Sequence, residues 1–224
     1  MEQSLTKKKI KLEIPKYTLG EELFSAISHG VGSCLSIAAL VLLIVRAAIY
    51  GSAISVVATS IYGATLVILY TMSTLYHSFS PRITAKKVFR IFDHCSIFLL
   101  IAGTYTVYSL LVLKGALGWT IFGIVWGAAI LGIVLNAINL EKYKKFSMVC
   151  YIAMGWIIIF SFKTLIASLA KGGVVFLLIG GVCYTVGAII YGLGKKIKYM
   201  HSIWHLFVLA GSICHFFSIL LYAI

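Results

Sequence analysis

Long runs of apolar positions separated by short polar clusters dominate this chain. The runs fall at about 23–45, 53–76, 91–113, 118–140, 147–169, 173–193 and 203–224. Each is close to the ~20 residues a helix needs to cross the hydrocarbon core of a bilayer. In lipid every backbone N–H and C=O must be satisfied within its own segment, so runs of this length and continuity predict helices, not strands. The pattern therefore predicts an all-α, polytopic membrane protein built as a seven-transmembrane helix bundle. Residues 1–22 read as a polar basic tail, and residues 23–224 as one transmembrane domain without an internal linker. The first run lacks an A-x-A-like cleavage site and reads as a retained span.

Composition agrees. Of 224 residues 61% are hydrophobic and 11% charged, against about 25% charged in a typical soluble domain. A water-soluble fold of this size could not hide so much apolar surface. A soluble enzyme, a secreted disulfide scaffold and a disordered chain are excluded. The five cysteines (Cys34, Cys95, Cys150, Cys183, Cys214) are odd in number, lie in or near the apolar runs and show no C-x-x-C spacing, so neither disulfides nor a zinc ribbon is expected.

Net charge is +13. In a soluble protein that would suggest nucleic acid. Here the cations sit in the connections, where they set orientation and meet anionic lipid headgroups, and no extra-membrane domain offers itself to nucleic acid. The tail holds five Lys, the connection after span 2 holds Arg82, Lys86, Lys87 and Arg90, and that after span 4 holds Lys142, Lys144 and Lys145. After span 6 come Lys195, Lys196 and Lys198, whereas the alternate side collects only Arg46, Lys114, Lys163 and Lys171. Fifteen cations against four place the N-terminus in the cytoplasm and the C-terminus outside. That orientation is opposite to receptors coupled to G proteins, and the absence of lysine from span 7 excludes a retinal Schiff base there.

Ionisable groups within spans are expensive and mark candidate sites. Asp93 is the single aspartate, at the start of span 3. The six histidines (His29, His77, His94, His201, His205, His215) all lie in or at the edge of a span. The end of span 2 and the starts of spans 3 and 7 share one leaflet, so His77, Asp93, His201 and His205 come to a similar depth. His201 and His205 are i,i+4 on one helix face, as are Ser73 and His77. Three imidazoles leaving an open position are the pattern of catalytic zinc. Asp93 would then hold and polarise a water on the metal; alternatively it pairs with Arg90, three residues earlier.

The remaining histidines read differently. His215, about 15 Å deeper than His205 by helical rise, reads as a hydrogen-bonded interior residue. His94 is turned about 100° from Asp93, so the two are not expected to share an ion. Glu22, Ser25 and His29 form a polar stripe on span 1. Glycines 173, 180, 187 and 194 form a seven-residue seam on span 6 that reads chiefly as close helix packing, as do Gly123 and Gly127. Trp119 and Trp204 fit interfacial belts.

Taken in order, Glu22…Ser25…His29-Gly30, Ser73-x-x-x-His77, Asp93-His94 with Ile101-Ala102-Gly103-Thr104-Tyr105-Thr106, and His201-x-x-x-His205 with Gly211-Ser212 and His215 resemble the bacterial hemolysin III family. That family is grouped with the progestin and adipoQ receptors among the CREST membrane hydrolases. The resemblance covers nearly the whole chain after the tail, with one departure: Ser25 stands where the family more often has Asn. It implies a multi-pass protein of the bacterial plasma membrane, with zinc as cofactor held by His77, His201 and His205, and with Asp93 and Ser73 as catalytic residues. In the adipoQ-receptor branch the site is associated with hydrolysis of lipid amides; the bacterial branch is named for cytolysis and linked to membrane lipid homeostasis.

Three functions are expected candidates. One is a zinc-dependent hydrolase of lipid amides or esters, with membrane lipids as partners. Another is a cytolytic pore, which should show a polar stripe through the full membrane depth; the outer halves of these spans carry almost no charge. The third is a receptor-like regulator with structural zinc, for which short connections leave little surface for a soluble partner.

Overall fold

A computed structural model of the chain describes residues 14–193 and 197–224. All regular structure among them is helical: α1 (Leu19–Tyr50), α2 (Ala53–Ser78), α3 (Thr84–Val107) continuing as a π-helix (Tyr108–Leu113), α4 (Gly115–Gly155), a 3-10 turn (Ile157–Ser161), α5 (Phe162–Ser168), α6 (Lys171–Leu193) and α7 (Met200–Tyr222). Six stretches are long and apolar enough to cross a membrane, Gly115–Ser168 counting as one. The tail lysines 7, 8, 9 and 11, together with Gly194, Lys195 and Lys196, lie outside the described residues.

The first helix starts earlier than its hydropathy suggests. Thr18 caps it in a capping box with Glu21, so Glu21 and Glu22 fall in the first turn. Both are buried, because their partners come from other helices and not from water. Glu21 Oε2 accepts from Thr18, while its Oε1 accepts from the backbone N–H of Tyr199 at 2.8 Å, just before α7. That one carboxylate clips the first and last helices together. Ser25 Oγ and Ser202 Oγ, 3.0 Å apart, repeat the link one turn further along.

The 41 residues of α4 are not one rod. Asn139 leaves the helical region (φ −160°, ψ 87°), and its side chain accepts from the N–H of Lys142, capping the second limb of the helix. Ser147 donates to Asn136 Oδ1 at 2.6 Å, and Tyr151 Oη lies 3.3 Å from Asn136 Nδ2. A straight helix would hold those pairs about 17 and 22 Å apart. The neighbours on α3 settle the direction. Trp126 meets Thr106 and Gly132 meets Phe98, whereas Tyr151 meets His94 and Ile158 meets Tyr105. The first limb runs antiparallel to α3 and the second parallel to it, so the chain reverses at Asn139.

The second limb is broken after Gly155, where Trp156 departs from helical geometry. The freed backbone groups are satisfied by one phenol: Tyr105 Oη donates to the Gly155 carbonyl and accepts from the N–H of Ile158. Broken helices at membrane depth require such partners.

α3 is the axis of the bundle: 78% of its most apolar window is buried inside the protein, against at most half for the others. The core clusters on it, with Phe98, Ala102 and Val107 enclosed among Tyr62, Leu66, Val125 and Ala129. α6 lies on α7 through the predicted glycine seam. A methyl at Gly173 would meet Tyr222, at Gly180 His215, and at Gly187 Phe207 and Trp204. The seam is a packing surface. Gly123 and Gly127, expected to act likewise, have open space where a side chain would stand, since they face away from the bundle. The five cysteines are all free.

Candidate metal centre

His77 in the last turn of α2 and His201 and His205 in the first turns of α7 converge at one end of the bundle, all buried. The i,i+4 spacing puts the two α7 imidazoles on one face, and the α1–α7 clip draws that face toward α2. His77 Nε2 is 3.3 Å from His201 Nε2, which is 3.2 Å from His205 Nε2; one ligand atom from each of the three lies within 4.8 Å of the others. Two ligands at the ~2.05 Å zinc–imidazole distance and a tetrahedral angle stand about 3.3 Å apart. Hydrogen bonds alone explain the cluster poorly: His201 Nε2 carries either one proton or one lone pair, yet has an imidazole nitrogen on each side. The set fits a cation.

Tautomers point the same way. His77 Nδ1 donates to Glu22 Oε2 at 2.7 Å, leaving Nε2 with its lone pair turned into the cluster. Glu22 Oε1 in turn accepts from Lys86 Nζ at 2.6 Å, and the lysine side chain is fully buried over the Tyr76 ring. A carboxylate behind a ligating histidine fixes its ring and raises its basicity, and Lys86 balances the charge that would otherwise be stranded. Along the sequence, Glu22 stands out only as part of a polar stripe and Lys86 only as a topogenic cation; neither signals a role at the metal centre.

Asp93 lies beside the cluster, buried, about two and a half turns inside α3. Its Oδ2 is 3.3 Å from His94 Nδ1, which also donates to the Arg90 carbonyl at 2.9 Å. His94 thus reaches Asp93 because its ring folds back along the helix. Arg90 Nη1 pairs with Glu141 Oε1 at the α4 reversal, with Lys144 on the other carboxylate oxygen. Ser73 Oγ, one turn before His77 and buried, stands near the Asp93 carboxylate without closing a well-formed hydrogen bond. His29 stacks on His205 with centroids 3.7 Å apart and planes 13° apart; both its ring nitrogens are buried and unpartnered. Trp204, half-buried, packs against His201, His205 and Tyr191 as a wall of the site. His215 stands apart, as expected, with Nε2 3.2 Å from the Leu177 carbonyl.

Tyr17, just before α1, lies over the cluster, its ring stacked on His201 at 4.9 Å and 23°. Burial pushes its phenol well above the ordinary tyrosine range. From His29 and Asp93 a cavity of about 180 Å³ runs between α3, the second limb of α4, α6 and α7 to Tyr108 and His215. Its walls are chiefly apolar, among them Ile97, Ile101, Met148 and Val208.

The family model described as "Haemolysin-III related" matches residues 17–216. The chain belongs to the haemolysin III family. This haemolysin III-related chain is 47% identical to "Hemolysin-3" of Bacillus cereus over 205 residues, covering 91% of the chain and 92% of that protein. It is 46% identical to "Hemolysin-3 homolog" of Bacillus subtilis (strain 168) over 208 residues, 93% of the chain and 97% of the relative. A more distant likeness, 29% over 164 residues, joins it to "Monocyte to macrophage differentiation factor" of Homo sapiens, covering 71% of the chain and 67% of that protein. Bacterial relatives and six long apolar helices make this haemolysin III family member a multi-pass membrane protein.

Proposed function

We propose that this protein is a zinc-dependent hydrolase of lipid amides or esters in a bacterial plasma membrane. The observation that carries the reading is the convergence of three imidazole nitrogens at zinc spacing near a buried carboxylate that lines an apolar cavity. The two limbs of α4 are read as spans 4 and 5, which brings the count to seven. The cation balance supports a cytoplasmic N-terminus, an extracytoplasmic C-terminus and a metal centre in the inner leaflet.

His77, His201 and His205 would hold the metal, with Glu22 fixing the first of them. Zinc in such a site supplies Lewis acidity, polarising a carbonyl and lowering the pKa of water toward about 7. The chain's own groups do the rest. The cavity takes up the apolar part of a lipid and excludes bulk water from the scissile bond. Asp93 accepts the proton of the attacking water on a carboxylate oxygen and passes it to the leaving amine or alcohol. Ser73 donates to the oxygen on which charge develops. His94 holds the carboxylate in place from the side away from the cluster.

Asp93→Asn tests this. It keeps shape and hydrogen bonding but cannot take a proton. Protein purified from a complemented deletion strain should retain its zinc and its fold while lipid turnover falls on the order of 10²–10⁴-fold. Full turnover by a well-expressed Asp93→Asn protein would sink the hydrolase reading. The printed names of the Bacillus relatives favour a second reading, cytolysis. Leakage of dye from liposomes carrying the purified protein, undiminished in Asp93→Asn, would support it.

A further inference from the structure

The cavity is apolar along its walls but not at its end. Along α3 it extends from Asp93 to Tyr108, fifteen residues and so about 22 Å. At Tyr108 the helix loosens into the π-helix, and such segments recur at functional sites. Here buried polar atoms stand without partners.

His215 Nε2 carries the proton donated to the Leu177 carbonyl, which leaves Nδ1 a lone pair, buried and unpartnered. The Nε2–Cδ2 edge of this ring faces Gly180 on α6, so Nδ1 is on the opposite edge. Tyr108 Oη is buried and closes no well-formed hydrogen bond; Ser218 Oγ, beside it, donates to the Gly173 carbonyl at 2.7 Å. Tyr62 Oη, behind Tyr108, is a third such atom. Tyr70 and Tyr184 are satisfied, both on Ser212, at 2.7 and 2.8 Å. Four helices thus bring hydroxyl and imidazole groups to this end, and two of the residues with an open atom, Tyr108 and His215, line the cavity. Buried polar groups without a partner are costly, so two lining one end of a cavity call for an occupant.

Those open groups define the occupant's chemistry. His215 Nδ1 needs a donor, which excludes an ether, an ester or a ketone acting alone. Tyr108 Oη can donate in return. The charged side chains lining the cavity, Asp93 and Lys144, belong to its other end, so a carboxylate, phosphate or ammonium here would be buried uncompensated. A hydroxyl meets both requirements. We propose that the far end of the cavity, lined by Tyr108 and His215, is a binding site for the neutral hydroxyl of an elongated amphiphile whose other polar end lies at the metal centre. The proposal deepens the lipid reading of the cavity but does not depend on hydrolysis.

The test is equilibrium binding to zinc-loaded protein in nanodiscs, with palmitate, ω-hydroxypalmitate and a mid-chain hydroxypalmitate as probes. The charged carboxylate belongs at the metal end, and the extended chain is comparable in length to the cavity. The ω-hydroxy probe should bind about tenfold tighter than palmitate, and the mid-chain isomer should gain nothing. Tyr108→Phe removes only a hydroxyl that closes no well-formed hydrogen bond and is expected to fold. Both it and His215→Phe should erase the ω-hydroxyl preference while leaving palmitate affinity and zinc content as in wild type. Equal binding of the two end-group probes, or a preference that survives both substitutions, would overturn the polar site while leaving the hydrolase reading intact. Failure of every probe to bind would overturn the polar site and the lipid cavity together, whatever turnover shows.

Discussion

Glu22 carries more of the metal centre than its place among the tail residues suggests. It orients His77, is balanced by Lys86, and belongs to a helix that supplies no ligand of its own. Glu22→Gln keeps an acceptor for His77 but removes the charge and turns an amide N–H₂ toward Lys86. Zinc affinity should fall roughly 10–100-fold, the usual effect of losing a carboxylate behind a ligating histidine, as read by competition with a chromophoric chelator. Replacing His201 and His205 together with Ala should abolish zinc binding and the thermal stabilisation that zinc confers on wild type. His215→Ala should keep both; equal zinc loss in the two proteins would show the ligand set to be drawn wrongly. That His77, His201 and His205 come together, with Ser73 and Asp93 nearby, was legible because i,i+4 spacing and the end of each span are properties of short segments. Glu22–His77 and Glu22–Lys86 were not, because each pairing joins residues more than fifty positions apart that only packing brings together.

At the scale of elements, the glycine seam makes a prediction of its own. A methyl at Gly180 would press into His215 Cδ2 and stand 3.0 Å from the Gly211 carbonyl, backbone that cannot yield. Gly180→Ala should therefore cost about 1–3 kcal/mol, the usual range for overpacking, visible as a lowered midpoint in detergent. Gly123→Ala, with nothing within 4 Å, should leave the midpoint unchanged. Six stretches, not the seven expected, are long and apolar enough to cross a membrane, Gly115–Ser168 counting as one. The helical class and where the helices break could be read from apolar runs and polar clusters, including the reversal near Asn139, where Glu141 to Lys145 interrupt the pattern. The π-helix at Tyr108 and the break at Trp156 could not. Their residues are as apolar as their neighbours, and their geometry answers to Tyr105 and to cavity shape, which hydropathy does not record.

For the whole molecule, orientation decides which leaflet meets the metal centre. A reporter fused after Ile224 should behave as extracytoplasmic and one inserted near Pro81 as cytoplasmic; the reverse would turn the site toward the outer leaflet. Tyr17 adds a consequence for supply of the ion. Its ring lies against His201 and His77. An ion held by the three histidines would be shielded by this ring, so its exchange would be slowed by Tyr17 as well as set by affinity. In Tyr17→Ala, isotopically labelled zinc should exchange several-fold faster at nearly unchanged equilibrium affinity, and an unchanged exchange rate would show that the ion has another way out.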